Sequence, residues 1–317
     1  MNERAIRIGV SSCLLGERVR YDSRHKHDAY ITGTLGRYFE LVAVCPEVAV
    51  GLGVPRPPIH LVGDVQRPRA CGVDDAGIDV TDALRDFGRH TAAALADISG
   101  YLFKSRSPSC GMAQVTVHST GSGRTSDNGV GIYAREIMNA QPLLPVEEEQ
   151  RLGDPERRDS FLERVFAYRR WQECTDAGLT GAALVDFHTA HRLSIMAHGT
   201  EHCRALDRVI ARIGDAKLEP LAGEYITLFM AALKHRATRR RHVVVFRHLL
   251  GYLRPDLDNG DKQELLMLIE AYRQGHVPRL VPLTLFRHHF RRHPHPHTRR
   301  QLYLNPPPDE LRLRCEP

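Results

Sequence analysis

Ile6-Arg7-Ile8-Gly9-Val10-Ser11-Ser12-Cys13-Leu14-Leu15-Gly16 joins a short apolar run to a cysteine. The arrangement recurs twice: Phe39–Val44 opens into Cys45-Pro46-Glu47-Val48, and Tyr101–Lys104 precedes Ser107-Pro108-Ser109-Cys110-Gly111. These runs, with Ala113–His118, are short and rich in β-branched or aromatic residues, and so read as strands. Between the second and third lies the helical pattern of Leu84–Ile98, with Thr81 or Asp82 as its N-cap. Strand–helix–strand order favours parallel pairing, so the first half reads as an α/β domain on a parallel sheet. In such sheets the carboxyl ends of the strands converge on the ligand crevice. Cys13, Cys45 and Cys110 are therefore candidate ligands of a metal or cluster assembled by the fold. Their intervals of 31 and 64 residues match neither a zinc ribbon nor a ferredoxin run.

The remaining sequence bounds the setting of that site. At 317 residues the chain has room for about two domains. No run approaches the roughly 20 apolar residues of a membrane span, and Met1–Gly9 lacks a secretory hydrophobic stretch. Seven cysteines, an odd number, favour reduced thiols in the cytoplasm over a disulfide framework. The net charge of +6 is uneven: residues 1–150 sum to −2, whereas 151–317 sum to +8 and hold 13 of the 18 histidines. Such asymmetry points to a polyanion partner for the second half.

Pro142–Pro155 reads as the boundary between a domain of residues 1–150 and one of 151–317. Beyond it the pattern becomes mainly α-helical. Helical spacing covers Phe161–Cys174, Leu184–Ala197, Thr200 towards Gly214, Leu221–His235, Arg241–Leu253 and Asp261–Gln274, the last with Asp261/Glu264 as a capping pair and Gly275 as its stop. His288–Pro308 reads as basic and irregular. In the first half, Gly51–Pro68 and the glycine-rich Gly121–Gly131 read as long functional loops, the second as a mobile cover over the crevice.

Glu47 places a carboxylate two residues beyond a strand-end thiol, and Ser107 and Ser109 bring hydroxyls to another. Soft ligands, an acid/base candidate and hydrogen-bond donors together make a catalytic site. Arg56, held among prolines in Val54-Pro55-Arg56-Pro57-Pro58, is either a stiff connector or an arginine at the mouth of that site. Cys71, Cys174, Cys203 and Cys315 lack such surroundings and read as structural. Lys234, Arg236, Arg239, Arg240, Arg241 and Arg247 form one basic cluster and Arg287, Arg291 and Arg292, continuing to Arg299 and Arg300, a second. Both are candidates for binding a phosphate backbone. His198 and His202, one helical turn apart, lack the carboxylate of a metalloprotease motif and read as ordinary histidines.

Five blocks in order, Val10–Gly16, Val19–Asp22, Cys45–Val48, Gly51–Pro58 and Ser107–Gly111, resemble the thiouracil desulfidase family. Residues 160–308 resemble the helical domain often fused behind it, through Leu193–His198 with His202, Ala237–Arg239, His248–Tyr252, and Tyr272–Gly275 through Pro282–Leu285. The resemblance implies a 4Fe-4S cluster on Cys13, Cys45 and Cys110, with a fourth iron free to take the substrate's sulfur. It also implies Glu47 as the acid/base group and a serine of the Ser-Pro-Ser-Cys block, Ser107 preferred to Ser109, in contact with the base. Two-domain members imply hydrolytic, non-redox conversion of 4-thiouridine in tRNA to uridine with release of sulfide, the helical domain gripping the RNA and no nicotinamide or flavin taking part. Free thiouracil or a thiolated nucleoside as substrate, and a non-catalytic iron–sulfur RNA-binding sensor, are the alternatives.

Overall fold

The computed structural model describes residues 5–75, 77–119, 124–305 and 311. Gly121, Gly123 and Cys315 lie outside them. The chain divides into two compact units, Met1–Arg169 with Pro308–Pro317, and Arg170–Pro307.

The first unit contains two sheets. Its strands are β1 (Ile6–Ser11), β2 (Phe39–Val44), β3 (Ile59–Gly63), β4 (Pro68–Gly72), β5 (Gly100–Phe103), β6 (Val115–His118), β7 (Thr125–Gly129) and β8 (Val146–Glu148). One sheet has the order β2-β1-β5-β8 and is parallel throughout, as the strand–helix–strand pattern requires. The other, β4-β3-β6-β7, is mixed and carries β6, which the sequence suggested for a parallel arrangement. Helices α1 (Pro46–Ala49), α2 (Thr81–Ala94) and α3 (Ile132–Ala140) follow, with α4 (Pro155–Asp176), whose residues up to Arg169 belong to this unit and the rest to the second. Gly9 is demanded by packing: a Cβ there would run into the ring of Tyr101 on β5.

Four sequence expectations change here. Gly51–Pro68 contains β3, and the described part of Gly121–Gly131 is β7, paired antiparallel with β6 rather than free as a cover. The run Thr-Ser-Asp-Asn-Gly has little intrinsic strand preference, so the ladder with β6 imposes its conformation. The unit boundary falls later than Pro142–Pro155 because the start of α4 belongs to the first core: Phe161, Leu162 and Val165 are buried with Ile8, Val10 and Leu102. The α2 N-cap is Val80, since the Thr81 hydroxyl is engaged with the Ala70 N–H and Asp79.

The described elements of the second unit are helical: α5 (Gly181–His198), α6 (Thr200–Ile210), α7 (Leu218–Lys234), α8 (Arg239–Leu253), α9 (Asn259–Gln274), α10 (Leu280–Arg292) and α11 (Pro296–Arg299). Thr180 caps α5 and Thr238 caps α8. Asp258, rather than an Asp261/Glu264 pair, caps α9 through the Asp261 N–H. Val245, Phe246, Leu249, Leu265 and Phe286 fill the core, with Phe246 and Phe286 stacked at 5.5 Å. Its apolar face extends through Phe286, making His288–Arg292 the end of α10 rather than an irregular segment. No helix among the described residues is long and apolar enough to cross a membrane.

Burial lowers the pKa of His188, which contacts Asp207 at 3.0 Å and Tyr225 at 3.3 Å; it also lowers those of His202 and His289. A histidine with a depressed folded pKa binds its proton more readily when unfolded. Its contribution is therefore complete above the unfolded value and is lost as pH falls through the folded one. Calorimetry of the full chain should show the melting temperature of this unit falling between about pH 7.5 and about pH 5.5, across the ordinary imidazole value. A rise over that range would contradict the assignment.

Candidate active site

The three strand-end cysteines come together because β2, β1 and β5 are neighbours. Ser11 is level with Val44, and Val10 with Leu102. Cys13 lies in the 3-10 turn Ser12–Leu15, Cys45 is the N-cap of α1, and Cys110 sits in the turn after β5. That last turn is held from α3: the Gly131 N–H donates to Gly111 O at 2.8 Å and the Ala134 N–H to Ser109 O at 3.0 Å. A Cβ on Gly131 would meet Ser109 O at 2.5 Å, so only glycine permits this approach.

Cys13, Cys45 and Cys110 line one cavity of about 50 Å³, several times the roughly 15 Å³ that admits one water. Burial pushes the Cys13 thiol up to about 11, opposed by Arg20 and Lys104. It also raises Cys45, and raises Cys110 strongly, with Glu47 adding to the effect on Cys110. With Cys13 and Cys110 buried and Cys45 half-buried, the three sulfurs are poor thiolates on their own and good ones beside a cationic metal centre, whose charge reverses the balance. Among the described residues no three His, Cys, Asp or Glu side chains converge closely enough for a single ion. Three soft sulfur donors around one cavity suit a thiophilic metal centre.

Glu47 stands in the same wall with both carboxylate oxygens engaged. The Ser109 hydroxyl donates to Oε1 at 2.9 Å, while Arg56 Nε donates to Oε2 at 3.1 Å and its Nη2 approaches the same oxygen. Arg56 Nη1 is held by the carbonyls of Val19 (2.8 Å) and Gly53 (2.9 Å). Its side chain is only 2% exposed, so Arg56 reaches the cavity as the partner of Glu47, more than as a solvated arginine at a mouth. Removing one partner of a buried ion pair leaves the other uncompensated. Arg56→Ala should therefore cost about 3 kcal/mol, read as a shift of the urea midpoint at unchanged slope.

The two serines divide their work. Ser109 is fully buried and orients Glu47. Ser107 Oγ accepts the N–H groups of Ser109 (3.3 Å) and Cys110 (3.1 Å), and lines the cavity as Ser109 does not. An adjoining cleft of about 310 Å³ shares Arg20, Glu47, Arg56, Lys104 and Ser107 with the cysteine cavity and adds Tyr21, Lys26 and Arg106. Its cations make it electropositive. The sequence reading missed Lys104, whose Nζ bonds Ser105 O at 3.0 Å and Glu149 Oε1 at 2.5 Å. Its signal was position, directly after β5 and ahead of the Ser-Pro-Ser-Cys block.

Other singled-out residues lie elsewhere. Cys71 is on β4 in the second sheet and does not line the cavity; Cys174 and Cys203 are on α4 and α6 in the helical unit. His198 Nδ1 donates to His235 O, and the His202 ring packs on His235 at 4.5 Å. Within the basic clusters, Lys234 ends α7 and Arg236 follows it; Arg240 and Arg247 project from α8, and Arg287, Arg291 and Arg292 from α10, all exposed. Arg239 and Arg241 have structural contacts. Arg239 lies against Gly275, whose φ of +87° suits glycine, and 5.9 Å from the Tyr272 ring. Arg241 bonds Arg236 O at 3.0 Å and Glu201 at 3.2 Å.

Residues 8–149 match the family model of 2-thiouracil desulfurase, and residues 192–308 that of a protein of unknown function, DUF1722. The chain is 33% identical over 157 residues to the uncharacterized protein YbgA of Escherichia coli (strain K12), covering 49% of this chain and 93% of that protein. It is 32% identical over 139 residues to the uncharacterized protein YbbK of Bacillus subtilis (strain 168), covering 42% and 90%. A solved structure described as the [4Fe-4S]-dependent thiouracil desulfidase TudS is similar at 28% identity and a TM-score of 0.36, over 47% of this chain and 93% of that one. With its three cysteines and Glu47 inside the matched region, the chain belongs to the 2-thiouracil desulfurase family and carries a DUF1722 domain behind the desulfurase domain.

Proposed function

We propose that the chain removes sulfur from 4-thiouridine in tRNA by hydrolysis, giving uridine and sulfide. Family membership supplies the coarse part of this reading, an enzyme that desulfurises a thiouracil base. The observation that carries the rest is Glu47, held between Ser109 and Arg56 in the wall of the cavity lined by three cysteines. Cys13, Cys45 and Cys110 would hold a 4Fe-4S cluster, in keeping with their soft donor set. When bound, the cluster supplies an iron without a protein ligand, a soft Lewis acid suited to a thiocarbonyl sulfur.

Glu47 takes a proton from the water that attacks C4 of the base and returns it as the carbon–sulfur bond breaks. The carbon keeps the oxygen and sulfur leaves as hydrogen sulfide, so no electrons are exchanged. Ser107, which lines both cavity and cleft, would meet the base. A thiolated base inside folded RNA must leave its stack to reach a buried site, at a cost of a few kcal/mol. The cations of the cleft and the exposed arginines of α8 and α10 favour a substrate carrying phosphates over a neutral free base.

Anaerobic incubation of the cluster-loaded full chain with thiolated tRNA tests the proposal through loss of the thiocarbonyl absorbance. Faster turnover of free thiouracil than of the RNA would reassign the substrate. Replacing Arg240 and Arg287 by Ala, which spares the structural contacts of Arg239 and Arg241, should weaken tRNA binding and reduce its log–log salt slope by about 2. An unchanged slope would place the RNA elsewhere.

A further inference from the structure

A cavity of about 440 Å³ lies away from the cysteines in the first unit. Gln66, Arg67, Arg85, Arg89, Arg135 and Glu136 are among its lining residues. It sits beside the turn of the β3–β4 hairpin, where Gly63 pairs with Pro68; Ile59, at the other end of β3, lines the cleft next to the active site. Those ends are separated by roughly 13 Å of strand.

Four guanidinium groups from three elements face this cavity against one lining carboxylate. Arg135, on α3, is anchored by the carbonyls of Val65 (3.2 Å) and Gln66, and its buried Nε has no hydrogen-bond partner. Arg85 and Arg89 lie one turn apart on α2, oriented by Asp82 at 3.0 Å and Asp86 at 3.2 Å; Arg89 Nε also reaches Glu136 at 3.3 Å. Arg67 in the hairpin turn is exposed and makes no ion pair among the described residues. Each guanidinium has five N–H groups, so these contacts leave most donors unused. Arg85 and Arg89 are paired with Asp82, Asp86 and Glu136, whereas Arg67 and Arg135 make no ion pair among the described residues, so the pocket keeps a positive surplus that an anion would offset. A carboxylate needs only one arginine fork, whereas a phosphate offers oxygens in several directions and suits forks arriving from a turn and two helices.

We propose that this pocket is a second, non-catalytic site that binds phosphate groups. The phosphate belongs either to the RNA backbone or to a small phosphorylated compound, and one pair of measurements separates the sources. The variant is Arg67→Ala/Arg85→Ala in the full chain, since neither residue lines the cysteine cavity. Pyrophosphate, at constant ionic strength, should raise the melting temperature of the wild type, and its affinity should fall about tenfold or more in the variant, as expected for lost charge-assisted hydrogen bonds.

Binding of unthiolated tRNA supplies the second measurement. A salt slope reduced by about 2 in the variant identifies the RNA backbone as the occupant. Unchanged RNA binding with weakened pyrophosphate binding identifies a small compound. If wild type and variant agree in both measurements, the proposal is wrong. Sulfide release from free thiouracil should be equal in the two proteins, so failure here is distinct from failure of the desulfidase reading.

Discussion

Glu47→Gln should lower sulfide release from thiolated tRNA by a factor of about 10² to 10⁴, the usual worth of a positioned acid/base group. The substitution is informative because the site can hold it. The carbonyl of the introduced carboxamide can accept from Arg56, and its NH₂ can donate to the Ser109 hydroxyl, which accepts as readily as it donates. Both contacts and the volume of the side chain survive, while the capacity to take a proton and the charge facing Arg56 are lost, so the urea midpoint is measured beside the rate. Single-turnover decay of the thiocarbonyl absorbance under anaerobic conditions gives the rate, and iron content shows whether the cavity is still loaded. A rate within twofold of wild type would remove Glu47 from the chemistry.

The second large effect concerns the cysteines. Cys13→Ser, Cys45→Ser and Cys110→Ser should each abolish both the iron–sulfur chromophore and desulfuration, whereas Cys71→Ser should keep both. Hard serine oxygens are poor substitutes for thiolates on iron. The difference between the cysteines follows from the sheets. Three lie past the ends of adjacent strands in β2-β1-β5, while Cys71 pairs with His60 inside β4-β3-β6-β7. Iron and acid-labile sulfide analysis of anaerobically purified protein decides the matter. Loss of both from Cys71→Ser, or their retention in Cys45→Ser, would overturn this ligand set.

Much of this site is legible in the chain because its parts are local. An apolar run ending in a cysteine is a strand-end thiol whatever the strand order, and Cys45-Pro46-Glu47 sets a carboxylate beside one by covalent spacing. The roles of Ser107 and Ser109 are not legible, because two residues along a turn is a reversal of direction: one hydroxyl closes the turn and the other meets Glu47. Arg56 is similar. Prolines on both sides limit its backbone, but its carboxylate partner is known only once α1 packs beside the segment. Charge counting in the helical half has the opposite fault, since a row of arginines looks uniform until Gly275 and Glu201 claim Arg239 and Arg241.

Periodicity and covalent spacing are enough to specify the parallel α/β half, the mainly helical half, the three thiols and the proximity of a carboxylate to one of them. Such features are reported without knowledge of the partner strands. Only the folded chain makes β2, β1 and β5 neighbours, sets Ser109 and Arg56 on the two oxygens of Glu47, and encloses one pocket with arginines between positions 67 and 135. Strand order and helix docking are set by how apolar faces find each other across the whole chain, and no local stretch contains that information.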